Sequence, residues 1–117
     1  MELLQIHESL SNAARKLMAA KSHDYAGDTD ALKNFRHFGR WGVIVRLMDK
    51  LSRLESFEEQ ATLEVKDESI QDTVQDICNY AIIYYALYSE EQRKEALDKM
   101  THGGQKLNLY DDPTVAP

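Results

Sequence analysis

Little in this chain interrupts a helix. Of 117 residues two are proline, both within the last five, and five are glycine. No segment alternates apolar and polar residues for long, so strands find no support. Long apolar runs are also missing. No uninterrupted stretch approaches the roughly 18 residues of a membrane span. The start, MELLQIHESL, lacks a basic region followed by an apolar block, so no signal peptide is expected and the chain reads as cytoplasmic. A single cysteine, Cys78, excludes an internal disulfide framework and suits a reducing compartment. It sits on an apolar stripe and reads as a small buried hydrophobe. There is no basic excess either. Fourteen Lys and Arg stand against twenty Asp and Glu, a formal net charge of −6. That disfavours a nonspecific binder of duplex nucleic acid, which needs a basic footprint. It leaves room for a small anion held by a local cluster of Arg and Lys.

What is present is ordinary for a folded protein: 43% hydrophobic and 29% charged residues. The length suits one domain with one core. The expected fold is all-α, an antiparallel bundle of four to five helices over residues 1–100, followed by a polar tail, 101–117. The first helix is expected over Glu2–Ala20, with Leu3, Ile6, Leu10, Ala13, Leu17 and Met18 inward. Turn formers in KSHDYAGDTD then break the chain. A short helix through Asn34 to His37, capped by Asp28 or Thr29, stops at Gly39. The third helix, Val43–Phe57, turns Ile44, Leu47, Met48, Leu51 and Leu54 to the core. Residues 58–66 connect it to the fourth, with Asp67 as N-cap. Ser89 and Gln92 read as a capping box that starts a fifth helix, Glu90–Met100.

The fourth helix, within VKDESIQDTVQDICNYAIIYYALY, organises the rest. Ile70, Val74, Ile77, Cys78, Ala81, Ile82 and Tyr85 share one stripe, expected to face the core. Glu68, Asp72, Asp76 and Asn79 share another, at steps of four, four and three. Carboxylates stacked this way repel by a few tenths of a kcal/mol per pair. The cost is met by hydration or by something cationic. On the third helix Arg46, Asp49, Lys50 and Arg53 form a mostly basic patch. The bland reading is a salt-bridged surface between two antiparallel helices. The sharper one is a site for Mg²⁺, which takes oxygen ligands and shares phosphate oxygens with a substrate. Glu68 and Asp72 would be ligands, Asp49 a ligand or base, and Asp76 a deeper ligand. Arg46, Lys50 and Arg53 would clamp phosphates. His23 and Asp24 read either as a general-base pair or as turn residues. Tyr25 could stack on a base, whereas Phe35 and Trp41 are expected to pack in the core. Tyr80, Tyr84, Tyr85 and Tyr88 cover more of the helix than one core needs, which points to a homo-oligomer.

KSHDYAGDTDALKNF, GVIVRLMDKLSRL and VKDESIQDTVQDICNYAII together resemble the nucleotide modification associated domain 1 family of phage and bacterial proteins. Through it they resemble the MazG-like all-α nucleoside triphosphate pyrophosphohydrolases. The resemblance covers about residues 10–88. It implies an oligomeric helical bundle whose acidic and basic helix faces line a nucleotide site. The positions it matches are His23, Asp24, Tyr25, Asn34, Arg46, Asp49, Lys50, Arg53, Glu68, Asp72, Asp76 and Asn79. MazG-like enzymes carry E-x-x-E on one helix and E-x-x-D on the next. This chain departs from that pattern, offering Asp49 alone on one helix and E-x-x-x-D-x-x-x-D on the other.

Two functions follow, the first the main expectation on the strength of the long acidic stripe and the second its alternative, favoured by the incomplete acidic motif. One is Mg²⁺-dependent hydrolysis of a nucleoside or deoxynucleoside triphosphate between its α and β phosphates, with Asp49, Glu68 and Asp72 catalytic. The other is binding without turnover, in which a nucleotide or signalling nucleotide is sequestered. A helical module that binds a protein partner is the plainer alternative to both.

Overall fold

The computed structural model describes residues 2–26, 32–60 and 69–101, less the side chains of 22–26. Three helices and no strand occur among them: α1 (Leu3–Ala26), α2 (Lys33–Gln60) and α3 (Ile70–Thr101). α1 is rich in Leu and Ala and free of proline and glycine, all favourable to helix. It runs six residues past the expected end, because the first glycine after it is Gly27. At its start the Gln5 side chain accepts the Glu2 backbone N–H at 3.0 Å, one half of a capping box.

The short second helix and the third are one element with a kink. Gly39 carries φ 73° and ψ −177° inside α2, a conformation almost exclusive to glycine. The expected stop is therefore a change of direction. Three residues on, Gly42 allows a close approach, since a Cβ there would lie 2.7 Å from the Phe38 Cβ.

α3 starts at a full capping box. The Asp72 backbone N–H donates to the Ser69 hydroxyl at 3.0 Å, and the Ser69 N–H donates back to the Asp72 carboxylate at 3.1 Å. Ser69, rather than Asp67, is the cap; Asp67 lies outside the described residues. The break expected at Ser89 does not occur. No proline or glycine stands near it, and the turns on its far side are tied to α2. The Arg36 guanidinium donates twice to Glu90, at 2.8 and 2.6 Å, and Arg40 pairs with Glu91 at 3.1 Å. Arg40 also lies over the rings of Tyr84 and Tyr88, at 5.7 and 5.4 Å.

These pairs give the topology. Arg36 meets Glu90 while Lys50 meets Asp76, so α2 runs antiparallel to α3. Ala14 meets Asn79 and Lys21 meets Asp76, so α1 does the same. α3 is the central element, with α1 and α2 parallel on its flanks and scarcely touching each other. The core is Val43, Ile83 and Leu87, joined by Met18, Leu32, Phe35, Leu47, Tyr80 and Tyr84. Phe35 and Tyr80 meet edge to face, with centroids 6.4 Å apart.

α3 is rotated from its expected orientation. Its buried residues are Thr73, Gln75, Asn79, Ile83 and Leu87. Ile82 and Tyr85, from the stripe expected to face the core, are exposed, and Ile70, Val74, Ile77 and Cys78 are only half-buried. Asp76 and Asn79 of the polar stripe turn toward α1 and α2 because Lys21, Lys50 and the Ala14 carbonyl partner them there, while Asp72 stays exposed. No buried side-chain nitrogen or oxygen among the described residues lacks a hydrogen bond. Trp41, expected in the core, is 78% exposed, and Met48 and Leu51 are exposed as well.

Candidate functional site

Where α3 begins, both neighbouring helices send a lysine to the same carboxylate. The Lys50 ammonium lies 2.9 Å from Asp76 Oδ2, and the Lys21 ammonium 3.5 Å from Asp76 Oδ1. The side chains of Lys50 and Asp76 are 13% and 14% exposed. Little water therefore screens their attraction. Arg46 and Arg53 lie four residues before and three after Lys50, on the same face of α2. Arg53 Nη2 reaches back to Asp49 Oδ2 at 3.2 Å, and the Asp49 side chain is 61% exposed. Lys21 and Lys50 thus meet at Asp76 and Arg53 meets Asp49, while Arg46 is exposed on the same face of α2. The cluster is locally cationic on a chain that is acidic as a whole.

One turn further along α3, Asn79 is buried and donates its amide to the Ala14 carbonyl at 3.0 Å. Ala14 is itself 3% exposed, and its small side chain lets the helices approach closely enough for that bond. Asn79 thus holds α1 against α3. One turn toward the start, Asp72 caps its own helix. The Ser69 backbone amide, and then the Ser69 hydroxyl, hold its carboxyl below the ordinary value of 3.8.

The other expected site residues are scattered. Asn34 is exposed in the first turn of α2. His23, Asp24 and Tyr25 stand in the last turn of α1, not in a loop, and their side chains lie outside the described residues. So does Glu68. Lys21 is the participant that sequence reasoning missed. Its position two residues before the HDY triplet was the available signal, but the end placed on the first helix left it in a loop.

No group of three His, Cys, Asp or Glu side chains able to hold a metal ion occurs among the described residues. Asp76 faces two ammonium groups, Asp49 a guanidinium, and Asp72 its own helix terminus. Mg²⁺ needs oxygens free to point at it; Asp76 is taken up by the lysines, and Glu68, the remaining expected ligand, lies outside the described residues. An open hollow of about 440 Å³, lined by Leu51, Leu54, Glu55, Glu58 and Glu59, lies toward the end of α2. It contains none of the cluster's residues.

Residues 21–86 match the family described as nucleotide modification associated domain 1. The chain belongs to this family. Every residue of the lysine–aspartate cluster lies inside the matched span, which begins at Lys21 itself, and so do Asn34, Asn79 and the capping box. Most of α1 and the last half of α3 lie outside it. No curated protein and no solved structure matches the chain. The family's description ties the chain to a nucleotide-related role, and no helix among the described residues is long and apolar enough to cross a membrane.

Proposed function

We propose that the chain binds a nucleotide through its phosphates at the seam where Lys21 and Lys50 meet, with Arg46 and Arg53 on the same face of α2. One observation carries this reading: ammonium groups from two helices converge on one poorly exposed carboxylate. Two lysines held that close repel each other without an anion between them. Asp76 supplies that charge, and a phosphate offers more of it. Arg46 and Arg53 would engage further phosphate oxygens, a guanidinium in bidentate fashion. Charge neutralisation then rests on side chains rather than on a metal, which favours binding without turnover.

Hydrolysis is the second reading, supported by the exposed carboxylates of Asp49 and Asp72 on the helices that carry the cluster. It requires Glu68 and Mg²⁺ in addition.

One experiment separates the two. A panel of ribo- and deoxyribonucleotides is titrated by calorimetry with and without Mg²⁺, and the mixtures are analysed for products. Sequestration gives binding that survives a chelator, weakens about tenfold or more in Lys50→Ala and Arg46→Ala, and leaves the nucleotide intact. Hydrolysis gives pyrophosphate release that stops with the chelator and in Glu68→Gln. If no nucleotide binds under either condition, both readings fall.

A further inference from the structure

Of the three buried polar residues of α3, two are engaged. Thr73 donates its hydroxyl to the Ser69 carbonyl at 3.2 Å, and Asn79 donates its amide to the Ala14 carbonyl at 3.0 Å. Gln75 is the third. Only 7% of it is exposed, yet no group among the described residues partners its side-chain amide. Burying a carboxamide without a hydrogen bond is costly, so buried ones are nearly always paired. Every fully enclosed side-chain nitrogen or oxygen among the described residues does have a partner. The Gln75 amide is therefore not sealed in: its stem is covered, while the nitrogen and oxygen at its tip reach an opening.

The helix register places that opening. Gln75 and Asn79 lie one turn apart on the same flank of α3, and the Asn79 bond to Ala14 makes it the flank of α1. Because α1 runs antiparallel, the part of it level with Gln75 lies one turn beyond Ala14, at Met18, and leads to Lys21. Asp76, the next residue of α3, receives Lys21 and Lys50. The amide thus stands on the α1 border of the lysine–aspartate seam, while Lys50, Arg46 and Arg53 belong to the α2 border.

We infer that Gln75 reads the base of the bound nucleotide, an inference that rests on phosphate binding at this seam. Phosphates held by the α2 cations leave the nucleoside toward α1, beside the amide. A carboxamide sets a donor and an acceptor side by side, and nucleobase edges present a matching pair. A ribose hydroxyl would use only one of the two. The covered stem fixes the amide before a ligand arrives, so little ordering is left to be done on binding. A polar group that is paired only in the complex favours the ligand able to pair it and rejects one that is not. Lysine and arginine recognise phosphate, which every nucleotide carries. Gln75 adds the discrimination they lack.

Calorimetry on wild type and Gln75→Met tests this, with inorganic tripolyphosphate and the nucleoside triphosphates of four bases, ribo and deoxyribo, as probes. Tripolyphosphate carries the phosphates and no base. Wild type is expected to bind it, and to spread the four bases over about tenfold or more in affinity. Gln75→Met keeps the side-chain length and removes the amide. It is expected to draw the four bases together and to leave tripolyphosphate unchanged. Its thermal melt is expected at or above that of wild type, since no hydrogen bond is lost. Gln75→Glu, which keeps the shape and loses the donor, serves if Gln75→Met does not fold. It is expected to weaken the preferred nucleotide more than tripolyphosphate. A Gln75→Met protein with the wild-type spread among bases overturns the inference and leaves the phosphate seam standing. So does a wild type that separates ribose from deoxyribose but not base from base. Unfolding of both variants would make Gln75 a structural residue and overturn it as well. If neither tripolyphosphate nor any nucleotide binds, the seam itself falls and this inference falls with it.

Discussion

Lys50 of α2 and Asp76 of α3 meet at 2.9 Å with only 13% and 14% of their side chains exposed. Lys21 of α1 lies 3.5 Å from the other oxygen of the same carboxylate. A group that joins three helices while carrying charge should reveal itself both in stability and in ligand affinity.

Replacing Asp76 by Asn is the most informative change. It leaves two ammonium groups facing each other across a neutral amide, and loss of the pair costs about 1–3 kcal/mol of stability. If phosphates are held by the cations, the same change raises affinity for a nucleoside triphosphate several-fold, because the guest no longer competes with a carboxylate. If Asp76 were a metal ligand, affinity would fall instead. Calorimetry on Asp76→Asn distinguishes the two by sign.

Asp72 provides a test in pH. Its folded pKa is depressed below 3.8 by Ser69, so its contribution to stability is present above the unfolded pKa and is lost as pH falls through the folded one. Wild type should therefore be more stable than Asp72→Asn at neutral pH, and the gap should close below pH 3.8. Urea melts of both proteins across that range read it directly. A gap that persists at low pH would mean the carboxylate does not act as the cap.

Ser69→Ala removes the other half of the same box and is expected to cost about 1 kcal/mol. Hydrogen exchange should accelerate first in the opening turn of α3, where Thr73 also donates its hydroxyl to the Ser69 carbonyl at 3.2 Å.

At the kink, Gly39→Ala forces a side chain into a backbone conformation that costs about 1–3 kcal/mol, although nothing lies within 4 Å of the added Cβ. Gly42→Ala meets the opposite problem, a favourable helical backbone with Phe38 in the way. Thermal melts are expected to show both variants destabilised. Because the close contact is with the Phe38 Cβ, Phe38→Gly is expected to reduce the added cost of Gly42→Ala alone, whereas Phe38→Ala, which keeps that Cβ, is not.

The helices were legible in the sequence because helix formers run unbroken between glycines. Gly39 was legible as a punctuation mark, but whether a glycine ends a helix or bends it depends on what packs beyond it. Ser89 misled for a related reason: a serine three residues before Gln92 has the form of a cap, and the Arg36–Glu90 and Arg40–Glu91 pairs, which hold the helix continuous there, join residues more than fifty apart. The larger miss was the orientation of α3. A stripe of Ile, Val and Tyr reads as core in any single-chain argument. Periodicity identifies the two faces of a helix but not which one the rest of the chain covers. Of the basic patch of α2 and the acidic stripe of α3, Lys50 and Asp76 meet as the antiparallel arrangement led one to expect. Lys21, their third member, comes from a helix with no charge pattern to announce it.

Ala14 has a reach out of proportion to its size. Asn79 bonds to its carbonyl, a group every amino acid carries, so this seam tests bulk and ignores chemical identity. A larger side chain at position 14 would pry α1 outward like a pebble in a hinge. Because Lys21 sits two turns along the same rod, the gap would open at Asp76 as well. A methyl group two turns from Lys21 thus governs how tightly the charges meet.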